Sequence, residues 1–189
     1  MILTPDNEYT AVLDACVLIP MPLCDTLLRL AEEPSLYKPL WSTTILDELH
    51  RNLAKRLHRT QEQCDRRIAA MRLAFPESEI SVPEELLRGF DCIPDENDRH
   101  VLGAAVRGSA HVIVTSNVKD FPAECLKSFD LLCHTPDEFL THQFHIGPDE
   151  VLTKLDEQAA NVGKDRVGLA KLLAVISPEF SRLVIACSQ

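Results

Sequence analysis

Apolar residues fall into two spacings that take turns along the chain. Short, dense runs at 8–13 (EYTAVL), 39–41 (PLW), 80–82 and 111–114 (HVIV) have strand character, and 128–133 (SFDLLC) is a further short strand candidate. Between them the apolar positions recur at helical spacing. Residues 24–33 predict a helix stopped before Pro34. After Ser42 and Thr43 as caps, Ile45, Leu46, Leu49, Leu53 and Leu57 make a buried stripe. Residues 61–75 predict a second helix, with Ile68, Met71 and Leu73 among its apolar positions and Pro76 as its stop. Residues 15–22 (ACVLIPMP), with two prolines, read as an apolar loop, and 84–89 as a brief helical turn. Residues 98–108 repeat Val101, Leu102, Ala105 and Val106 before Gly108, a natural C-terminal stop. Thr135, Pro136 and Glu138 mark another helix start, and beyond Gly147 three amphipathic segments, 148–160, 165–175 and 178–187, follow with no further strand.

Strands alternating with helices predict an α/β fold with a central parallel sheet between helical layers, spanning residues 1–142. Residues 143–189 are expected to form a small helical extension. A chain of 189 residues can bury a substantial core. Its N-terminus lacks the basic and then apolar character of a secretion signal, and no apolar run approaches the roughly 18 residues of a membrane span, so the expected location is cytoplasmic, away from membranes. Seven scattered cysteines without a CxxC pair read as small buried hydrophobes and reduced thiols, and imply no zinc site.

A formal charge of −10 argues against a protein that grips nucleic acid by bulk electrostatics. The basic residues are nevertheless concentrated. Arg51, Lys55, Arg56, Arg59, Arg66, Arg67 and Arg72 are opposed within their stretch only by Glu62 and Asp65. Such a run is either a solvated helix face or a local patch for a polyanion.

The candidate chemistry is carboxylate chemistry. Asp14 follows the first strand, where open α/β sheets place their ligands. On the 43–57 helix, Glu48 lies close to the buried stripe while Asp47 points away, and Asn52 shares the edge of Glu48. Asp25 has either a capping or a site-supporting role in its helix. Asp95 stands as an N-cap, and Asp98 points along the buried face of its helix, at the edge of the sheet-packing side. Thr115, Asn117 and Asp120 lie in the loop that leaves strand 111–114, and Phe121 is placed to anchor it. Four acids with one destination, Asp14, Glu48, Asp98 and Asp120, repel one another unless a hard cation compensates them, and oxygen ligands suit Mg²⁺ or Mn²⁺. Hydrolysis of a phosphodiester is the chemistry that such a site commonly supports.

The segments VLDACVLIP, ILDELHRNL, DENDRHVLGAAV and VIVTSNVKDFP, in this order and spacing, resemble the PIN-domain ribonucleases, and in particular the VapC-type toxins of bacterial toxin–antitoxin pairs. The resemblance covers roughly residues 9–142, and the tail is similar to the C-terminal segment of one subgroup. It implies a PIN-like three-layer α/β/α fold and Mg²⁺- or Mn²⁺-dependent endonucleolytic cleavage of RNA, with tRNA or rRNA as substrate. It also implies homodimerisation and inhibition by a cognate antitoxin. By the same resemblance Asp14, Glu48, Asp98 and Asp120 match the metal-binding acids, and Thr115 and Asn117 the TxN element; Asn52 and Asp25, placed by their helix positions, are the expected supporting residues. Arg51, Lys55, Arg59, Arg66 and Arg67 are the expected RNA contacts. A haloacid-dehalogenase-type phosphohydrolase would need a second Asp at position 16, which is Cys16, and a receiver-like domain would need an acid pair beside the first strand. The remaining alternative is a PIN-like module that keeps its acids and acts by binding or regulation.

Overall fold

The computed structural model describes residues 9–188, so Glu8, the expected opening residue of the first strand, lies outside it. Five strands, β1 (Thr10–Leu13), β2 (Lys38–Ser42), β3 (Glu79–Ile80), β4 (Val112–Val114) and β5 (Leu132–His134), form one parallel sheet in the order β3-β2-β1-β4-β5. Burial on both faces requires continuous apolar runs rather than alternation. Ala11, Val12 and Leu13 of β1 and Val112, Ile113 and Val114 of β4 are accordingly all fully buried.

The helices are α1 (Ala15–Leu18), α2 (Met21–Ala31), α3 (Thr43–Arg56), α4 (Gln61–Ala74), α5 (Glu84–Leu87), α6 (Arg99–Arg107), α7 (Ala123–Lys127), α8 (Pro136–Ile146), α9 (Pro148–Asn161), α10 (Arg166–Leu173) and α11 (Pro178–Ala186). The chain steps outward from β1 to β3 and then returns to β4 and β5 on the other side of β1. With right-handed crossovers this reversal puts α2–α4 on one face of the sheet and α6–α7 on the other, the expected three layers. Local chemistry sets the helix starts. Ser42 accepts a hydrogen bond from the Ile45 N–H at 3.1 Å, and Thr60 with Gln63 and Thr135 with Glu138 form capping boxes.

Several local expectations are corrected. The loop expected over 15–22 is helical on both sides of a bend at Ile19 and Pro20, because Pro20 is the N-cap of α2 and Pro22 lies in its first turn, where a missing N–H is tolerated. Asp25 therefore lies inside α2 rather than at its cap, and Arg29 is paired with it at 3.0 Å. Leu73 is 85% exposed, off the buried stripe of α4. The strand expected over 128–133 starts later, at Leu132, after a turn in which Asp130 takes a positive φ of 53°. Gly108 ends α6 without a left-handed backbone. A Cβ there would lie 2.6 Å from Leu40 Cδ1, so a side chain would have to displace the Leu40 tip on β2, and Ser109 takes the left-handed φ of 49°.

The cysteines divide. Cys24 and Cys64 are buried and free as expected, but Cys187 is exposed, and Cys92 and Cys125 form a disulfide across 33 residues. That pairing corrects the reading of all seven as reduced thiols. A partner 33 residues away leaves no spacing signal in the sequence.

Helix α8 runs on across residue 142 to Ile146, and the remaining helices dock on the sheet domain through specific bonds. Gln158 of α9 donates to Pro22 O at 2.9 Å and accepts from Thr26 Oγ1 at 2.8 Å. Asp137 of α8 accepts the Glu179 and Phe180 N–H groups at the start of α11. Among the described residues no helix is long and apolar enough to cross a membrane.

Candidate functional site

Between β1 and β4 the sheet order changes direction, and at such a switch point the loops leaving the carboxyl ends of the two strands part to form a crevice. Leu13 and Val114 are in register, so the next residues, Asp14 and Thr115, emerge side by side. Thr115, fully buried, donates its hydroxyl to Asp14 Oδ2 at 2.6 Å. The Cys16 thiol donates to the same oxygen at 3.0 Å and accepts the Ser116 N–H at 3.2 Å. Both side-chain bonds end on Oδ2, which leaves Asp14 Oδ1 for another ligand. Burial, and then the charge of Asp14, pushes the Cys16 thiol up to about 12, so it stays protonated and can serve as the donor.

Asp98 faces the same crevice from the start of α6. Its side chain caps nothing, whereas Asp95 accepts the Asn97 N–H at 2.9 Å and caps the 3₁₀ turn Glu96–Asp98. The capping duty expected for this pair thus falls on Asp95 and frees Asp98. Burial, followed by the charges of Asp95, Asp120 and Asp14, raises the Asp98 carboxyl to about 6. Two acids from distant parts of the chain, Asp14 and Asp120, act on it together with its neighbour Asp95. Asp120 lies in the 3₁₀ turn Val118–Asp120, which Phe121, 3% exposed, anchors in the core. Asn117 is exposed at the entrance to that turn, and its backbone N–H donates to Thr115 Oγ1 at 3.0 Å.

Glu48 is half-buried on α3 and Asp47 exposed, as the helical wheel predicts. Its carboxylate is held from two sides. Asn52 donates to Glu48 O at 3.1 Å and reaches Oε1 at 3.4 Å, while His100 Nε2 of α6 lies 3.6 Å from Oε2. The His100 contact comes first among the influences that hold the Glu48 carboxyl below its ordinary range, against the opposing effect of burial, with help from the His100 charge, Arg51 and Arg56. Glu48 therefore joins the crevice through His100 rather than as one of the acids that act on Asp98.

Two site residues escaped the sequence reading. His100 sits two positions after Asp98 in a run whose signal is its apolar periodicity, and Cys16 reads as a small buried thiol and as the residue that stands where a phosphohydrolase has its second Asp. Pairing each with its nearest acid would have been the available signal.

In donor type the crevice suits a hard divalent cation. Its acids offer only oxygen, and neither Asp14, Asp98 nor Asp120 has a Lys or Arg ion-pair partner among the described residues. As placed, the acids stay apart: among the described residues no three His, Cys, Asp or Glu side chains gather closely enough to hold a metal ion.

The basic run divides as well. Arg66 is paired with Glu62 at 2.7 Å and Arg72 with Glu79 at 2.7 Å. Arg67 donates to the carbonyls of Leu18 and Ile19 at the end of α1, so its guanidinium is part of the fold. Arg51, Lys55, Arg56 and Arg59 are exposed at the far half of α3 and just beyond it, with no ion pair among the described residues.

An α/β domain with converging carboxylates at the switch of a β3-β2-β1-β4-β5 sheet defines a small class of proteins. The sequence profile of the PIN domain matches residues 10–119, more than half of the chain, and the chain belongs to the PIN domain family. Asp14, Glu48 and Asp98 lie inside the matched stretch; Asp120 falls one residue beyond it. The chain is 42% identical over 94 residues to the "Putative ribonuclease VapC50" of Mycobacterium tuberculosis, a match covering 44% of this chain and 56% of that protein. It thus spans little more than half the length of that relative. Among solved structures, VapBC2 from Rickettsia felis bound to a promoter DNA fragment has a TM-score of 0.47 at 19% identity. VapBC-1 from nontypeable Haemophilus influenzae has a TM-score of 0.48 at 18% identity. Each likeness covers 67% of this chain and 98% of the other.

Proposed function

We propose that this PIN-domain protein is a metal-dependent endoribonuclease of the VapC toxin type, acting on tRNA or rRNA with Mg²⁺ or Mn²⁺ and held in check by a cognate antitoxin. The observation that carries this reading is that Asp14 and Asp120, each delivered by a different loop, act on Asp98, with no Lys or Arg ion-pair partner for any of the three among the described residues. Asp14, Glu48, Asp98 and Asp120 are the residues that would hold the cation. When bound there, a divalent cation supplies an activated water and neutralises charge growing on the phosphoryl oxygens. The chain's own residues do the rest. Thr115 and Cys16 fix Asp14, Asn52 and His100 hold Glu48, and the exposed Asn117 is placed to meet the RNA backbone. The relative named as a ribonuclease supports the same reaction.

Arg51, Lys55, Arg56 and Arg59 continue from Glu48 along and past α3, and these unpaired cations are the proposed track for the RNA backbone. Arg66 and Arg67, expected among the RNA contacts, are engaged elsewhere and have a smaller part in the proposal. The reading keeps residues 1–142 as the nuclease unit and 143–189 as an appended helical segment. It also keeps a homodimer and a cytoplasmic location.

One observation favours a second reading, a PIN-like module that binds RNA without cutting it: although the acids share one crevice, among the described residues no three of them lie close enough to hold a metal ion. Incubation of the purified protein with labelled structured RNA and Mn²⁺ separates the two. Cleavage that disappears in Asp98→Asn supports the nuclease, whereas retention of RNA without turnover supports the module.

A further inference from the structure

The sheet switch accounts for Asp14, Asp98 and Asp120, but Glu48 arrives from a different helix and needs its own means of alignment. His100 projects from the first turn of α6 and is only 7% exposed. Its Nε2 lies 3.6 Å from Glu48 Oε2, and its Nδ1 is buried without a partner. A buried ring nitrogen left unpaired is costly, and packing alone would be better served by an apolar side chain of similar size. The bare Nδ1 also fixes the tautomer. With no acceptor at Nδ1, the ring proton belongs on Nε2, where it faces the Glu48 carboxylate. On the opposite side of Glu48, Asn52 spans Oε1 and the Glu48 carbonyl. The carboxylate is thus held between α3 and α6, the helix that starts at Asp98.

We infer that His100 is a positioning residue: with its proton on Nε2 it bridges α6 to α3 and orients Glu48 toward the cation site. The inference rests on the metal-site reading of the crevice. An imidazole is suited to this duty because its ring N–H is a donor of fixed direction.

The test is Mn²⁺ affinity of the purified full chain, measured by titration calorimetry or by the free-Mn²⁺ electron paramagnetic resonance signal, in His100→Leu, His100→Gln and Glu48→Gln. His100→Leu removes the donor and is expected to weaken Mn²⁺ binding about tenfold or more, while His100→Gln, which restores an N–H at the Nε2 position, stays within about threefold of wild type. In a Glu48→Gln background His100→Leu should weaken binding no further. Unchanged affinity in His100→Leu, or the same loss with Glu48 already neutralised, overturns the inference and leaves the metal-site reading standing. A second readout needs no metal. In ¹H–¹⁵N spectra of the imidazole groups, the His100 Nε2–H should be protected from exchange in wild type and lose that protection in Glu48→Ala; equal protection in both contradicts the contact. If wild type shows the protected proton but binds no Mn²⁺, the metal-site reading itself fails, and the positioning role falls with it.

Discussion

Thr115 and Asp14 are 101 residues apart in sequence and 2.6 Å apart in space, with the threonine hydroxyl on Asp14 Oδ2. Adjacent parallel strands in register create this pair: β1 and β4 end together, and the first residue past each strand meets the other. Thr115→Val removes the hydroxyl, keeps the shape and leaves a buried carboxylate oxygen short of a donor. The expected loss is about 1–3 kcal/mol in unfolding free energy, read by urea denaturation, with Thr115→Ser close to wild type. Equal stability of all three proteins would show that the bond contributes nothing.

Without a cation, the acidic crevice works against folding. The carboxyl of Asp98 is raised from 3.8 to about 6, so the native state holds its proton more tightly than the unfolded chain does. The contribution to stability is therefore greatest at low pH and is lost as pH rises from about 4 through about 6. Thermal melts of metal-free protein should show this decline in the wild type and a flatter profile in Asp98→Asn. Mn²⁺ at neutral pH should raise the wild-type Tm more than that of the variant. A pH profile unaltered by Asp98→Asn would contradict the electrostatic account.

Cys92 lies three residues before Asp95, and Cys125 sits in the middle of α7, the short helix that follows the Asp120 turn, so their disulfide joins the two acid-bearing segments. Opening it with a dithiol, or replacing both residues with Ser, is expected to lower stability by about 2–4 kcal/mol. Thiol counting in denaturant with and without prior reduction establishes the bond, and melts of the two forms give its effect. Identical melts would assign it no stabilising role.

Arg67 and the α3 cations should respond in opposite ways. Arg67→Ala strips donors from the Leu18 and Ile19 carbonyls and should lower Tm, while changing RNA binding little. Charge reversal at Arg51 and Lys55 should leave Tm nearly unchanged, weaken RNA binding and reduce the slope of log K against log salt by about 1 to 2. Filter binding at several salt concentrations reads the difference, and a slope that does not move returns these residues to the status of a solvated face.

The parallel order of strands and helices was legible because β1, β2 and β4 are dense apolar runs and α3 and α8 carry capping residues at their starts. Glu48 over Asp47 followed from helical geometry alone. What the sequence could not disclose depends on tertiary proximity. The Cys92–Cys125 bond, the Arg67 contacts with α1 and the His100–Glu48 pair each join residues at least 33 positions apart. Local pattern failed where prolines suggested a loop at 15–22, since position within the first helical turn decides whether proline breaks a helix. The acids were found as a set, but their distribution, with three acting together and Glu48 set apart behind His100, needed the side-chain placement.

The central claim is that the acidic crevice cuts RNA with a divalent cation. The most direct measurement is cleavage of structured RNA by wild type, Asp14→Asn and Asp98→Asn, with Mn²⁺, with Mg²⁺ and with excess chelator. The account predicts defined cleavage by wild type that the chelator abolishes and a loss of about 100-fold or more in either variant, both variants remaining folded by circular dichroism. Cleavage undiminished in both variants, or unaffected by removal of divalent cations, would contradict it.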